Sequence, residues 1–290
     1  MIQTVIFISA LICAVIFSSA RADACTLFAA AGDDFVMGGG TLIAKTRDRW
    51  PQYNGARLYA PKDGYSYYAI VAGRESGNMT PRGGINEKGL AVVTASASAA
   101  SMALLCKLPL IGNISANLLS HCANVEEAIE HIHGYRGQFV MLADKRETAL
   151  VVISPDGTPH VTRAKRSHLY RTNHYTEPEL ECFNVKPAVS SHVRYERIRT
   201  LLNETPNPFS IDDFIRFADD RHDGPDNSIW RTGGESRVIT QAALVVHIPP
   251  NGSPDIYVKY IKDPAQKDKF ETLRLNAKDI FNASTRTYDV

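Results

Sequence analysis

The sequence predicts an α+β fold in which two sheets are layered between helices. Strand-like segments come first, followed by two helical segments, more strands, two more helices and a final pair of strands. Glycine- and aspartate-rich turns join several of the strands, which is typical of hairpins. Because each element must bury its apolar face against another layer, this order favours two sheets with helices packed on them.

The predicted strands are runs of β-branched, aromatic and small apolar residues bounded by turn residues. In chain order they cover 26–30, 41–45, 57–60, 65–72, 90–97, 138–143, 149–154, 160–164, 169–174, 238–248 and 255–261. Gly38-Gly39-Gly40 is interpreted as a hairpin connection, because no Gly-Lys-Ser/Thr follows it to form a phosphate-binding loop. The segment from Gly83 to Gly89 is interpreted as a turn.

Four segments have the apolar period of amphipathic helices, and they cover 113–121, 124–133, 190–203 and 211–217. Asn124 is the expected N-cap of the second helix, since its short polar side chain can accept a hydrogen bond from the first turn. Gly134 closes that helix. Ser210 is expected to open the fourth helix, and the third carries a basic face.

Composition excludes several classes of partner. Hydrophobic residues make up 44% of the chain and charged residues 22%, as in ordinary globular proteins. Lys+Arg 32 against Asp+Glu 31 gives a net charge of +1, so the overall charge does not indicate a nucleic-acid or anionic-membrane partner. No second long apolar run follows the N-terminal one, so no membrane span is expected. The histidines are scattered and no CxxC is present, so we expect no metal.

The first 24 residues have the pattern of a secretory signal peptide. Val5 to Phe17 is almost wholly apolar, and the residues after it are small and polar. Ala22-Asp23-Ala24 fits the small-x-small rule for cleavage. Its removal would leave residues 25–290, interpreted as a single domain, in the periplasm or outside the cell.

Cleavage after Ala24 would make Cys25 the first residue, with both a thiol and a free α-amine. An α-amine loses its proton more readily than a lysine side chain, so it can act as a general base near neutral pH. Two other fates remain open: one half of a disulfide, which is common in exported proteins, or the lipidated cysteine of a bacterial lipoprotein. The remaining cysteines of the mature chain allow one disulfide in more than one pairing, and they are Cys106, Cys122 and Cys182.

The first predicted hairpin would bring a charged segment back beside Cys25. Asp48 would then orient the α-ammonium, while Lys45 or Arg47 would supply positive charge that favours a thiolate. The alternative is that these residues are charges on a solvated turn. The spacing alone does not decide between the two.

Five segments in this order resemble the linear-amide hydrolases of the N-terminal nucleophile superfamily. That group contains choloylglycine (bile salt) hydrolases, penicillin V acylases and acyl-CoA:6-aminopenicillanic acid acyltransferase peptidases. The similar segments are Cys25-Thr26, Gly-Gly-Gly-Thr-Leu-Ile-Ala-Lys-Thr-Arg-Asp-Arg at 38–49, Gly-Ile-Asn-Glu-Lys-Gly-Leu-Ala at 84–91, Arg-Thr-Asn-His-Tyr at 171–175 and Ser-Ser-His-Val-Arg-Tyr-Glu-Arg at 190–197. The resemblance implies a four-layer αββα sandwich of two mostly antiparallel sheets.

The resemblance also implies roles for four residues. Cys25 matches the nucleophile whose own α-amine is the base, and Asp48 matches the aspartate that orients that amine. Asn173 matches the asparagine whose side-chain amide stabilises the oxyanion. Arg194 matches the arginine near the nucleophile, which supports its charge and the binding of acyl substrates. No cofactor is implied.

Two positions depart from the family pattern. Ser96 falls where bile salt hydrolases have a second asparagine, which disfavours a bile-salt specificity. Lys45-Thr46 stands where the family usually has Arg-Asn or Lys-Asn. We expect Lys45, Arg47, Thr94 and Ser96 to contact the substrate, although Thr94 and Ser96 also suit close packing in a sheet.

The sequence therefore predicts an exported hydrolase that cleaves the linear amide bond of a small N-acyl substrate through a thioester on Cys25. Acyl transfer to an amine would use the same residues. A non-catalytic exported binding protein, or a lipoprotein, is the alternative from a different class. The acyl group, the amine and the oligomeric state stay open.

Overall fold

The computed structural model describes residues 24–101, 112–186 and 188–282. The predicted signal peptide lies outside the described residues apart from Ala24, and Cys106 also lies outside them. Among the described residues, no helix combines the length and the hydrophobicity that a bilayer-crossing helix needs.

The described residues form strands through most of the chain. In order the strands are β1 (Ala24–Ala31), β2 (Thr41–Arg49), β3 (Tyr53–Tyr59), β4 (Tyr67–Gly73), β5 (Thr80–Asn86), β6 (Ala91–Ser96), β7 (Gln138–Ala143), β8 (Thr148–Ile153), β9 (Pro159–Ala164), β10 (Ser167–Arg171), β11 (Ile239–Ile248), β12 (Asp255–Ile261) and β13 (Phe270–Asn276). Strands β1, β4 and β8 are buried along their whole length, as expected of strands covered on both faces.

Helices interrupt the strands at two places, and one more helix follows the last strand. They are α1 (Ile114–His121), α2 (Val125–His131), α3 (Val189–Glu204), α4 (Ile211–Ala218), α5 (Gly224–Asn227) and α6 (Ala277–Asn282). Asn124 caps α2 by accepting from the backbone N–H of Glu127. Ser210 opens α4 as one half of a capping box with Asp213. Both predicted N-caps are thus confirmed, whereas α2 ends at His131 with Ile132 as its C-cap, before the predicted end at Gly134.

The strands form two antiparallel sheets. The six-stranded sheet has the order β10-β1-β2-β11-β12-β13, and the seven-stranded sheet runs from β3 to β9 in sequence order. Neighbouring strands within both sheets are antiparallel. The seven-stranded sheet is therefore a meander of hairpins, while β1, β2 and β11 come together from distant parts of the chain.

Three apolar clusters join these elements into four layers. The faces that the two sheets turn toward each other, here called the inter-sheet faces, share a core that includes Leu27 from β1 and Val93 from β6. The outer face of the seven-stranded sheet packs on α1 and α2, for example through Leu118. The outer face of the six-stranded sheet packs on α3 and α4, for example through Ile198 and Phe214. The predicted fold, two mostly antiparallel sheets between helices, is confirmed.

Several element predictions were wrong or incomplete. Gly83 to Asn86, predicted as a turn, belongs to β5. A side-chain Cβ at Gly84 would lie 2.2 Å from the carbonyl oxygen of Tyr68, so glycine serves close strand approach there. The sequence also missed β13 and α6 at the end of the described chain, and β2 extends through Asp48.

Candidate active site

Cys25 lies near the start of β1, between β10 and β2 in the six-stranded sheet. Its Cα is paired with that of Arg47 on β2. Because side chains alternate along a strand, Cys25 shares the inter-sheet face with Leu27, whereas Phe28 faces the helices. The side chain is 5% exposed, so its surroundings are set by packing rather than by bulk water.

Asn173 and Arg194 hold the backbone of Cys25 from the helix side. The backbone N–H of Cys25 donates to Asn173 Oδ1 at 2.8 Å, and Arg194 Nη1 donates to the Cys25 carbonyl at 2.7 Å. Arg194 also donates to Asn173 Oδ1 at 3.0 Å and to Thr26 Oγ1 at 2.9 Å. One guanidinium from α3 therefore ties together β1 and the segment that follows β10.

Asp48 completes this group from β2. It pairs with Ala24 on β1 and with Thr240 on β11, and it is 1% exposed. Its Oδ1 accepts from Thr240 Oγ1 at 2.7 Å. Its Oδ2 lies 3.8 Å from Arg194 Nη1 and has no hydrogen-bond partner within the described residues. Buried carboxylate oxygens seldom lack a partner, so this oxygen is a candidate acceptor for a further donor.

Burial outweighs attraction in the Asp48–Arg194 pair. Burial raises the pKa of Asp48, although Arg194, Arg231, Thr240 and Arg47 all act to lower it. Burial also lowers the pKa of Arg194 against the attraction of Asp48. Burial therefore favours the neutral form of each group, and the opposite charge of its partner acts against that preference.

A polar cluster behind Asn173 fixes its position. The Asn173 backbone N–H donates to Ser191 Oγ at 2.8 Å, and that oxygen also lies 2.8 Å from His174 Nδ1 and 2.9 Å from Thr172 Oγ1. Burial lowers the pKa of His174 to about 3, so the ring is neutral. The side-chain amide nitrogen of Asn173, Nδ2, donates to the backbone carbonyl of Ser96 at 2.9 Å. Ser96 is thus brought to the site through its main chain.

Lys45 and Arg47 share the inter-sheet face with the Cys25 side chain. Both are buried and both interact electrostatically with the thiol. Burial, with help from neighbouring positive charges, lowers the pKa of Lys45 to about 8 and that of Arg47 to about 10. The predicted positive charge beside Cys25 is therefore present, in a buried strand rather than on a solvated turn.

Sequence reasoning missed two residues of this site, Arg82 and Thr240. The backbone carbonyl of Arg82 accepts from Lys45 Nζ at 2.6 Å, and its guanidinium interacts with the Cys25 thiol. Arg82 precedes the Gly-Gly pair in β5, which is the one local signal that could have indicated it. Thr240 has no local signal, because its partner Asp48 is 192 residues away in sequence.

Thr94 is not brought to Cys25. Val93 on β6 belongs to the inter-sheet core that contains Cys25, whereas Val92 belongs to the core on the helix side. Since alternate residues of a strand share a face, Thr94 lies on the helix side with Val92. The predicted contact between Thr94 and a substrate at Cys25 is therefore wrong, because the strand register places the Thr94 side chain on the other face of the sheet.

Cys25, Cys122 and Cys182 are free thiols within the described residues. A pairing that involves Cys106 lies outside them. Over the same residues, no group of three or more His, Cys, Asp or Glu side chains is arranged to hold a metal ion.

Comparison with known protein families finds one match. Residues 36–252, more than half of the chain, match the family described as acyl-coenzyme A:6-aminopenicillanic acid acyl-transferase. The matched region contains Asp48, Asn173 and Arg194 and begins after Cys25. No curated protein sequence matches the chain.

Solved structures with a similar fold include two kinds of hydrolase. Penicillin V acylase from Agrobacterium tumefaciens has a TM-score of 0.50 and 16% identity, covering 87% of this chain and 86% of that chain. A mutant of conjugated bile acid hydrolase from Clostridium perfringens has a TM-score of 0.53 and 11% identity, with 87% and 92% coverage. Another variant of the same enzyme has a TM-score of 0.54 and 13% identity, with 87% and 98% coverage. At these identities the likeness shows the fold.

Proposed function

This chain belongs to the acyl-coenzyme A:6-aminopenicillanic acid acyl-transferase family, and we propose that it is an exported hydrolase cleaving a linear amide bond of an N-acyl substrate. The observation that carries the proposal is how Cys25 is held and surrounded. Asn173 and Arg194 hold its backbone nitrogen and carbonyl, while its thiol faces the buried cations of the inter-sheet face. A nucleophile needs this combination of fixed position and stabilising charge.

Removal of the residues through Ala24 would turn the held nitrogen of Cys25 into an α-amine. That nitrogen lies 2.8 Å from Asn173 Oδ1. The loss of Ala24 would also clear the position opposite Asp48, whose Oδ2 has no hydrogen-bond partner within the described chain. We propose that the α-amine donates to this oxygen in the mature protein, and that Asp48 thereby orients it.

In the proposed reaction, the α-amine takes the proton of the Cys25 thiol as the sulfur attacks the substrate carbonyl carbon. The amine then passes the proton to the leaving nitrogen, the C–N bond breaks and a thioester remains. A water molecule, deprotonated by the same amine, attacks the thioester and releases the carboxylic acid. Asn173 Nδ2, which has a second N–H beyond the one given to Ser96, is the proposed oxyanion donor. Such a donor contributes about 2.7 to 4 kcal/mol in comparable sites.

The family description favours a second acceptor for the acyl group. Acyl transfer to an amine would proceed through the same thioester, with the amine replacing water. Product analysis separates the two: hydrolysis yields the free acid at a rate independent of added amine, and transfer yields a new amide.

The proposal is tested on the exported protein by intact mass and N-terminal peptide mapping, with and without iodoacetamide, followed by a panel of chromogenic N-acyl amides. We expect a chain that begins at Cys25, and we expect loss of amidase activity to track the label on Cys25. Cys182 is exposed and serves as an internal control, since its label should not track activity. An internal, lipidated or disulfide-bonded Cys25 would rule out the mechanism.

The low pKa of Lys45 predicts an alkaline limit to activity. Below about pH 8 Lys45 is charged and stabilises the negative sulfur and oxyanion, and above that pH the charge is lost. The value of kcat/KM should therefore fall with a midpoint near pH 8. In Lys45→Arg the charge persists, so the fall should move toward the pKa of Arg47, about 10. Coincident alkaline limbs in the two pH–rate profiles would contradict this role.

A further inference from the structure

The charge around Cys25 is unbalanced on the inter-sheet face. The Cys25 thiol interacts with Lys45, Arg47 and Arg82. Within the described residues none of these three cations forms an ion pair with a carboxylate, and Asp48 acts on Lys45 and Arg47 only from a distance. A thiolate would offset one of the three charges. Lys45 and Arg47 are both buried, so beside a thiolate at least one buried cation still has no paired anion. Buried charges are normally paired, which indicates an anion that the site receives from outside.

Neutral oxygens hold these cations in place. Arg47 donates to Asn54 Oδ1 at 2.9 Å and to Gln52 Oε1 at 2.6 Å. Lys45 donates to the Arg82 carbonyl at 2.6 Å. Each bond orients a cation without neutralising it, so the positive potential at Cys25 is kept.

The Arg82 guanidinium has an N–H donor without an acceptor in the described structure. Within the described residues its one side-chain hydrogen bond is long, 3.4 Å from Nη2 to the carbonyl oxygen of Ala72, and its buried Nε has no hydrogen-bond partner there. Arg82 is also the extra residue of a β-bulge, since Pro81 pairs with Val71 and Gly83 pairs with Ile70. Bulges re-aim side chains at functional sites, and a guanidinium with unused donors suits a carboxylate.

We propose that the substrate is an N-acyl amino acid and that Arg82, beside Arg47, binds its carboxylate. This deepens the proposed function and rests on it. All three cations interact electrostatically with the thiol that attacks the carbonyl carbon, so an anion bound by them must lie close to the scissile bond. In an N-acyl amino acid, one carbon separates the amide nitrogen from the carboxylate, which meets this requirement.

The test measures binding without turnover. Calorimetry on exported Cys25→Ala protein would compare N-acylglycines with the matching N-acylglycinamides, using phenylacetyl, hexanoyl and dodecanoyl groups. Each pair differs only in the charged group. The acid should bind more tightly than its amide by about tenfold or more in at least one pair. Adding Arg82→Gln should remove that preference, and Arg82→Lys should restore part of it.

Arg57→Gln in the same background is the matched control. Arg57 lies on β3 of the same sheet, donates to a backbone carbonyl and pairs with Ala69 of the helix-side core, so it faces away from Cys25. It should leave the preference for acids unchanged. Equal or undetectable binding of acid and amide in every pair would overturn the inference and mean that the cations serve the sulfur alone. Failure of the unsubstituted protein to hydrolyse any N-acyl amide would instead overturn the proposed function, which the binding measurement does not require.

Discussion

Cys25→Ala should lower the kcat for amide hydrolysis by about 10⁴-fold or more while the protein stays folded. The substitution removes the proposed nucleophile. It keeps the backbone N–H and carbonyl through which Asn173 and Arg194 hold residue 25. Circular dichroism and urea unfolding should therefore match those of the unsubstituted protein. Cys25→Ser should also fold and be nearly inactive, because a hydroxyl is a far weaker nucleophile with the same base.

The matched control for this prediction is Cys182→Ser, because Cys182 is also a free thiol but is exposed and lies outside the site. It should retain full activity. Substantial turnover by purified Cys25→Ala protein, above that of a mock preparation, would mean that Cys25 is not the nucleophile.

Sequence patterns located most elements of the fold because their apolar periods are regular. The strand at 138–143 was predicted with its observed bounds, and both N-caps act as their side-chain chemistry requires. Strand β13 was not predicted because it lies at the sheet edge, where its residues are exposed or only partly buried and show no clear apolar alternation. The Gly83-Gly84 pair was misassigned because glycine signals both turns and close strand approach, and only the neighbouring strand decides between them.

The residues of the candidate site were also predicted only in part. The motifs gave Cys25, Asp48, Asn173 and Arg194, and the structure brings all four together. The motifs did not indicate how the strands pair or in which register. The face on which a residue of β6 lies depends on strand pairing, which is why Thr94 was placed at the site by sequence and away from it by structure. The position of Arg82 depends on a bulge that only the pairing of β5 with β4 reveals, although the Gly-Gly pair after it was a local signal.

Arg194→Met should lower the free energy of unfolding by about 3 to 5 kcal/mol. Arg194 is 1% exposed, and its guanidinium serves the Cys25 carbonyl, Thr26 Oγ1, Asn173 Oδ1 and the Asp48 carboxylate. Methionine fills a similar volume but leaves these acceptors unpaired and one buried charge uncompensated. Equilibrium urea unfolding measures the loss as a shift of the midpoint at constant slope.

Two further variants separate the charge from the general loss of an arginine. Arg199→Met removes an exposed arginine of the same helix, which forms a surface ion pair with Glu196, and should change stability by no more than about 0.5 kcal/mol. Combining Arg194→Met with Asp48→Asn removes the stranded carboxylate, so the double variant should be more stable than Arg194→Met alone. If Arg194→Met and Arg199→Met unfold at the same urea concentration, the guanidinium does not hold the site together. A different result is that Arg194→Met is less stable than Arg199→Met, but adding Asp48→Asn does not raise its stability. The loss then comes from the unpaired neutral acceptors around Cys25 and Asn173, and other arginines such as Arg231 compensate the Asp48 charge.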